Sequence, residues 1–257
     1  MNELNKDKSE NNILVGLRQL AQDVIEGKLS HEAAANSLYD KIGTEADVIA
    51  VIEEARSQIY SKPDLAFTLL LLTCQVARYI KSPLGLALCT FQIGTIYKSR
   101  GKYQDAIKQY QESLKLFQEL GQQKNITAVF TQLGAIAIHL SNYQLAQEYL
   151  ERGLTLSQEY GFREHEGVQQ GNLGINALLT GDYPLAEKHL IAAIGIAREV
   201  GDHRNEATWT SNLGIVYRSR GEYRRAIHQF ELALALHRQN GDRFGESSAL
   251  SNSQFKT

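Results

Sequence analysis

Apolar residues at helical spacing recur along almost the whole chain, interrupted at short intervals by Gly, Ser or Pro. Ile13, Leu14, Leu17, Leu20, Ala21 and Ile25 keep one face of a 3.6-residue period and predict a helix that stops at Gly27. Ser30, followed by Glu32 and Ala33 to Ala35, starts a second helix, and Val48, Ile49, Val51, Ile52 and Ala55 mark a third that ends near Ser61. Pro63 stands at the start of a fourth, where its missing N–H is harmless.

From Lys81 onward the pattern becomes periodic. Stretches beginning at Lys81, Gly121, Gly161 and Gly201 overlay at a 40-residue period without a gap. An Ile/Leu-Gly pair recurs as Ile93-Gly94, Leu133-Gly134, Leu173-Gly174 and Leu213-Gly214. Then come Gly101, Ser141, Gly181 and Gly221, next Tyr103, Tyr143, Tyr183 and Tyr223, and then Ala106, Ala146, Ala186 and Ala226. Each unit closes on an apolar pair: Leu114 and Leu116, Leu154 and Leu156, Ile194 and Ile196, Leu234 and Leu236.

A Gly within a helical pattern costs about 1 kcal/mol relative to Ala, so its return at one register implies a close approach of two helices. The later Gly or Ser falls where the pattern breaks and suits a turn with positive φ. The residues beyond it resume a 3.6-residue period. Each repeat therefore reads as a helical hairpin, and a fixed period in this range is the mark of a solenoid.

The arrangement L-G-x-x-Y, then Gly, Tyr and Ala, resembles the tetratricopeptide repeat, a helix-turn-helix unit of about 34 residues. Tyr97 and Tyr217 occupy the first-helix aromatic position and Tyr110 and Phe230 the second-helix one; Ala137, Ala177, Leu150 and Leu190 depart from it. The longer period, with joints such as Gly201-Asp202-His203 and Gly241-Asp242-Arg243, is similar to the repeats of kinesin light chains, the scaffold Pins and bacterial regulators. The resemblance implies an all-α, right-handed α-solenoid. The expected organisation is a disordered lead-in at 1–10, an N-terminal hairpin and degenerate repeat at 11–80 acting as a cap, four repeats over 81–240 and a truncated fifth at 241–257.

Composition narrows the function. With 27 Lys and Arg against 29 Asp and Glu, the net charge of −2 supports neither a nucleic-acid nor an acidic-lipid binder. The longest apolar stretch, near Leu65 to Cys74, is shorter than the roughly 20 residues a bilayer requires. Cys74 and Cys89 lie in apolar helical patterns and read as small buried hydrophobes in a reducing compartment rather than as a disulfide. With Met1–Asn12 lacking an apolar signal core, the expected location is the cytoplasm.

No phosphate-binding glycine loop, nucleophile elbow or helical His pair with zinc spacing occurs, so neither catalysis nor a cofactor or metal is expected. Glu164-His165-Glu166 reads as a solvated charge run. What remains is a second stripe on each first helix, which by the resemblance lines a concave ligand groove. It holds Phe91, Gln92, Thr95 and Lys98; Gln132, Ala135 and Ile138; Asn172, Ile175 and Leu178; and Asn212, Ile215 and Arg218.

Within it an amide ladder runs Gln92, Gln132, Asn172, Asn212, Asn252. An amide offers donor and acceptor to a bound peptide backbone, or it caps and bridges neighbouring helices. Lys98 with Arg100, and Arg218 with Arg220, leave basic ends that suit acidic residues of a ligand. The carboxylate clamp of co-chaperone repeats is missing, its positions being filled by Leu88, Phe91, Thr95, Ala128 and Val168.

The expectation is a scaffold that binds a peptide or helical segment of a protein partner. The alternatives are a bacterial peptide-sensing regulator of Rap type and the interaction module of a larger signalling protein. Self-association through the incomplete last repeat is a further expectation.

Overall fold

The computed structural model describes residues 15–39 and 42–253. The polar lead-in, Ile13, Leu14 and residues 254–257 lie outside the described residues. The chain divides into two compact units, Met1–Gln122 and Gln123–Thr257. All regular structure among the described residues is helical.

The first unit holds α1 (15–25), α2 (His31–Asn36), α3 (Glu45–Gln58), α4 (Pro63–Tyr79), α5 (Pro83–Ser99) and α6 (Tyr103–Glu119). Local chemistry sets several of these ends. Ser30 accepts from the Ala33 N–H at 3.1 Å to cap α2, and Thr44 and Asp47 form a reciprocal capping box on α3. Pro63 stands in the first turn of α4. The core is built from Leu17, Leu38, Ile52, Leu69, Leu72 and Ile96, each with at most 2% of its surface exposed.

The second unit holds α7 (Gln123–His139), α8 (Tyr143–Glu159), α9 (Arg163–Thr180), α10 (Tyr183–Val200), α11 (His203–Ser219), α12 (Tyr223–Gln239) and α13 (Arg243–Ser253). Consecutive helices pack as hairpins, and the odd-numbered helices also touch one another in sequence from α7 to α13. The hairpins turn through left-handed residues, Gly181 at φ 82° and Gly221 at φ 76°, and Ser141 takes the same conformation at φ 57°.

The Gly of each Leu-Gly pair sits where the partner helix presses closest. A Cβ on Gly134 would fall 2.7 Å from Leu150, and one on Gly174 the same distance from Leu190. Leu150 and Leu190 thus fill the place that Tyr110 and Phe230 fill against Gly94 and Gly214. The departures from the aromatic pattern preserve the contact.

Candidate functional site

In the first unit the stripe lies on α5. Phe91 is half-buried with its ring 5.4 Å from that of Tyr110, and Thr95 Oγ1 shares a 3.1 Å hydrogen bond with the Tyr110 hydroxyl. Gln92 is buried, with 8% of its surface exposed, so it is less accessible than the other stripe residues. Lys98 is half-buried, and burial lowers the pKa of its ammonium.

In the second unit Gln132, Ala135 and Ile138 lie on α7, Asn172, Ile175 and Leu178 on α9, and Asn212, Ile215 and Arg218 on α11, all half-buried. Ile175, Leu178 and Ile215 rest against the core of Ala177, Leu190, Leu213 and Phe230 while keeping part of their surface open. A half-buried aliphatic side chain on a packed helix is a preorganised apolar contact, since little rotamer freedom remains to be lost on binding. Asn172 and Asn212 stand one helical turn before Ile175 and Ile215, with no side-chain hydrogen bond to the described residues.

The basic ends differ from the sequence reading. Arg100 is paired with Asp64 at 2.6 Å. Arg220 is paired with Glu187 and with Glu222, and Arg218 donates to Asn252 Oδ1 at 2.7 Å while its guanidinium lies 5.9 Å from the Phe230 ring centre. These cations therefore serve the protein itself, and Asn252, the last rung of the ladder, is engaged by Arg218 rather than open.

Glu164-His165-Glu166 also departs from a solvated run. Glu166 accepts from Arg163 at 2.7 Å and from Gln158 at 3.2 Å, and burial lowers the pKa of His165, with Lys124 adding to the effect. Glu164 and His165 border a cleft of about 450 Å³ with Val168, Val200 and Asp202. Among the described residues no group of three or more His, Cys, Asp or Glu side chains is placed to hold a metal ion. No helix among them is long and apolar enough to cross a membrane.

Three polar residues that the motif reading passed over are buried in the second unit. Gln169, with none of its surface exposed, reaches from α9 to α7, donating to Thr131 Oγ1 at 2.7 Å and to the Thr127 carbonyl at 3.3 Å. Gly153 of α8 makes the room, because a Cβ there would lie 2.2 Å from Gln169 Nε2. Asn176 donates to the Tyr143 carbonyl at 3.1 Å. The available signal is register: Gln169 occupies the position of Cys89, Val129 and Trp209, where a polar residue is out of pattern.

His237 is the third. Its Nδ1 lies 3.0 Å from Asp242 Oδ2 and its Nε2 3.4 Å from Ser211 Oγ. Ser, His and Asp in that order suggest a nucleophile relay, yet Ser211 sits mid-helix, where the neighbouring N–H groups are committed to the helix and none forms an oxyanion hole. Asp242 also accepts from the Gly245 N–H at 3.0 Å. The cluster is a clasp that caps α13 and holds it against α11 and α12.

Successive helical hairpins of near-constant length define a helical repeat protein. A tetratricopeptide-repeat profile matches residues 86–159 and 169–239, and the chain belongs to the tetratricopeptide repeat family. Proteins of this family act in general as non-catalytic interaction scaffolds.

No curated protein sequence matches the chain closely enough to count as a relative. Among solved structures, the chain resembles BtubC (BKLC) from P. vanneervenii, with 19% identity and a TM-score of 0.57, over 76% of this chain and 90% of that one. The nearly identical TPR-like repeats of a kinesin-light-chain-type protein from Podosopora anserina give 16% identity and a TM-score of 0.60, over 77% and 99%. The apo form of RapI gives 17% and 0.63, over 80% and 81%. At these identities the likeness is one of fold.

Proposed function

We propose that this protein is an interaction scaffold that receives a peptide or helical segment of a protein partner on its first helices. In the second unit, Ile138, Ile175, Leu178 and Ile215 act as apolar anchors, while Asn172 and Asn212 bond the backbone of the bound segment. In the first unit Phe91 and Thr95 offer a smaller patch of the same type. The observation that supports this best is the pairing of half-buried Ile175 and Ile215 with amides that make no internal hydrogen bond. Because the nearby arginines are internally paired, the favoured ligand is apolar, with its backbone amides available, rather than strongly acidic.

The test is a cross-linking pull-down from native extract with the wild-type protein and Ile175→Glu side by side. A partner lost with Ile175→Glu, while far-UV circular dichroism stays unchanged, supports the reading; equal capture by both overturns it. The peptide-sensing alternative uses the same surface as a receptor, and a panel of short peptides screened by thermal shift addresses it in the same preparation.

A further inference from the structure

In the first unit a cleft of about 450 Å³ lies among α4, α5 and α6. Leu71 and Gln75 of α4, Thr90 and Ile93 of α5, and Gln109 and Glu112 of α6 line it. None of the stripe residues assigned above to a bound segment takes part. The volume is within the range of small-molecule sites.

The repeat register explains why the space is open. One period on, Phe130, Tyr149 and Arg152 stand where Thr90, Gln109 and Glu112 stand here. There the Phe130 ring is buried, with the Tyr149 ring 6.2 Å away and the Arg152 guanidinium 4.5 Å from its centre. Two periods on, Gln170 and His189 hold the first two places and bond each other at 2.6 Å. Three periods on, Thr210 and Gln229 return, but Leu232 replaces the glutamate. Thr90 is smaller than Phe by most of a ring, and its Oγ1 turns back to the Leu86 and Ala87 carbonyls at 2.8 and 2.9 Å. The first repeat therefore has room for a ring that the second repeat supplies from its own chain.

Gln75 gives that room a polar direction. Its Oε1 is buried and has no hydrogen-bond partner among the described residues, so a ligand that brings a donor gains more than one that does not. Arg78 and Glu112, which also border the cleft, form an exposed ion pair at 4.0 Å, and a pair of this kind parts at little cost. We propose that the cleft binds a planar aromatic ring system carrying an N–H donor, of about the size of indole. The ring packs on Leu71, Ile93 and Tyr97, and its N–H donates to Gln75 Oε1. A free small molecule and a tryptophan side chain both offer this chemistry.

Calorimetric titration of the whole chain with indole and with benzofuran tests the proposal, because benzofuran keeps the fused ring and lacks the donor. Indole should bind saturably with a Kd on the order of 0.1–1 mM, as expected for so small a molecule. Benzofuran should bind about 5–10-fold more weakly. Gln75→Met should bring indole down to the level of benzofuran, and Thr90→Phe, which places a ring in the cleft from the chain itself, should abolish binding of both with far-UV circular dichroism unchanged. N-acetyltryptophanamide bound as tightly as indole assigns the ring to a tryptophan side chain, whereas its exclusion with indole bound assigns it to a free molecule. No saturable binding of indole, equal affinity of the wild-type protein for indole and benzofuran, or unchanged indole binding by folded Thr90→Phe would overturn the proposal. The wild-type comparison decides the matter even where Thr90→Phe fails to fold.

Discussion

A Cβ placed on Gly214 would lie 2.6 Å from Cε1 of Phe230, closer than side-chain carbons come in folded proteins. The same glycine-to-second-helix contact occurs at Gly94 with Tyr110, where the distance would be 2.9 Å. The hairpin is closed by an absent methyl group.

Gly214→Ala forces Phe230 or a helix to move, and overpacking of this kind costs about 1–3 kcal/mol. The helix-propensity gain of about 1 kcal/mol offsets part of that cost. Gly195 in α10 is the control, because nothing lies within 4 Å of a Cβ there. Chemical denaturation should show Gly214→Ala destabilised and Gly195→Ala stabilised by up to about 1 kcal/mol. Stabilisation of both would mean that the close approach is not required.

Ser141 holds φ 57° where the equivalent turns use Gly101, Gly181 and Gly221. A residue with a Cβ pays about 1 kcal/mol in that region, and glycine does not. Ser141→Gly should therefore raise the denaturation midpoint, corresponding to about 0.5–1 kcal/mol. A fall in the midpoint for Ser141→Gly would contradict this.

Glu187 is the centre of an ionic cluster on α10. Burial tends to raise its carboxyl pKa, but hydrogen bonds from Tyr217 and Arg220 and the charge and hydrogen bond of Arg225 together hold it below the ordinary value of 4.5. A depressed folded-state pKa gives stability that is present above the unfolded value and is lost as pH falls through the folded one. Melting temperature should therefore fall as pH drops below about 4.5, and Glu187→Gln should flatten that part of the profile. An identical acid slope in the two proteins would remove Glu187 from the account.

Much of this architecture is written in residue spacing. The Leu-Gly pairs and the turn glycines announce hairpins because each is a steric requirement, and a requirement repeated four times is visible in a single sequence. The partners of those glycines, Tyr110, Leu150, Leu190 and Phe230, occupy one register but vary in type, so only the coordinates join them.

Bonds between repeats were harder to read. Gln169 reaching Thr131, and His237 bridging Asp242 and Ser211, depend on which neighbour leaves space, and no motif encodes that. The same holds for the arginines. Arg100, Arg218 and Arg220 look free along the chain and are paired once the helices pack.

Asn172→Ala and Asn212→Ala separate recognition from folding. Their side chains make no hydrogen bond to the described residues, so each substitution should leave stability within about 0.5 kcal/mol. Each should weaken binding of a captured segment by about 1–2 kcal/mol, roughly 5–30-fold, when titrated by calorimetry. Loss of stability without loss of affinity would assign these amides to helix bridging.

The central claim, recognition on the first helices, is tested most directly by hydrogen exchange of the protein with and without its captured segment. Protection concentrated in α9 and α11, around Asn172–Leu178 and Asn212–Arg218, is the predicted result. Protection confined to the second helices α8, α10 and α12, with α9 and α11 exchanging as in the free protein, would contradict it.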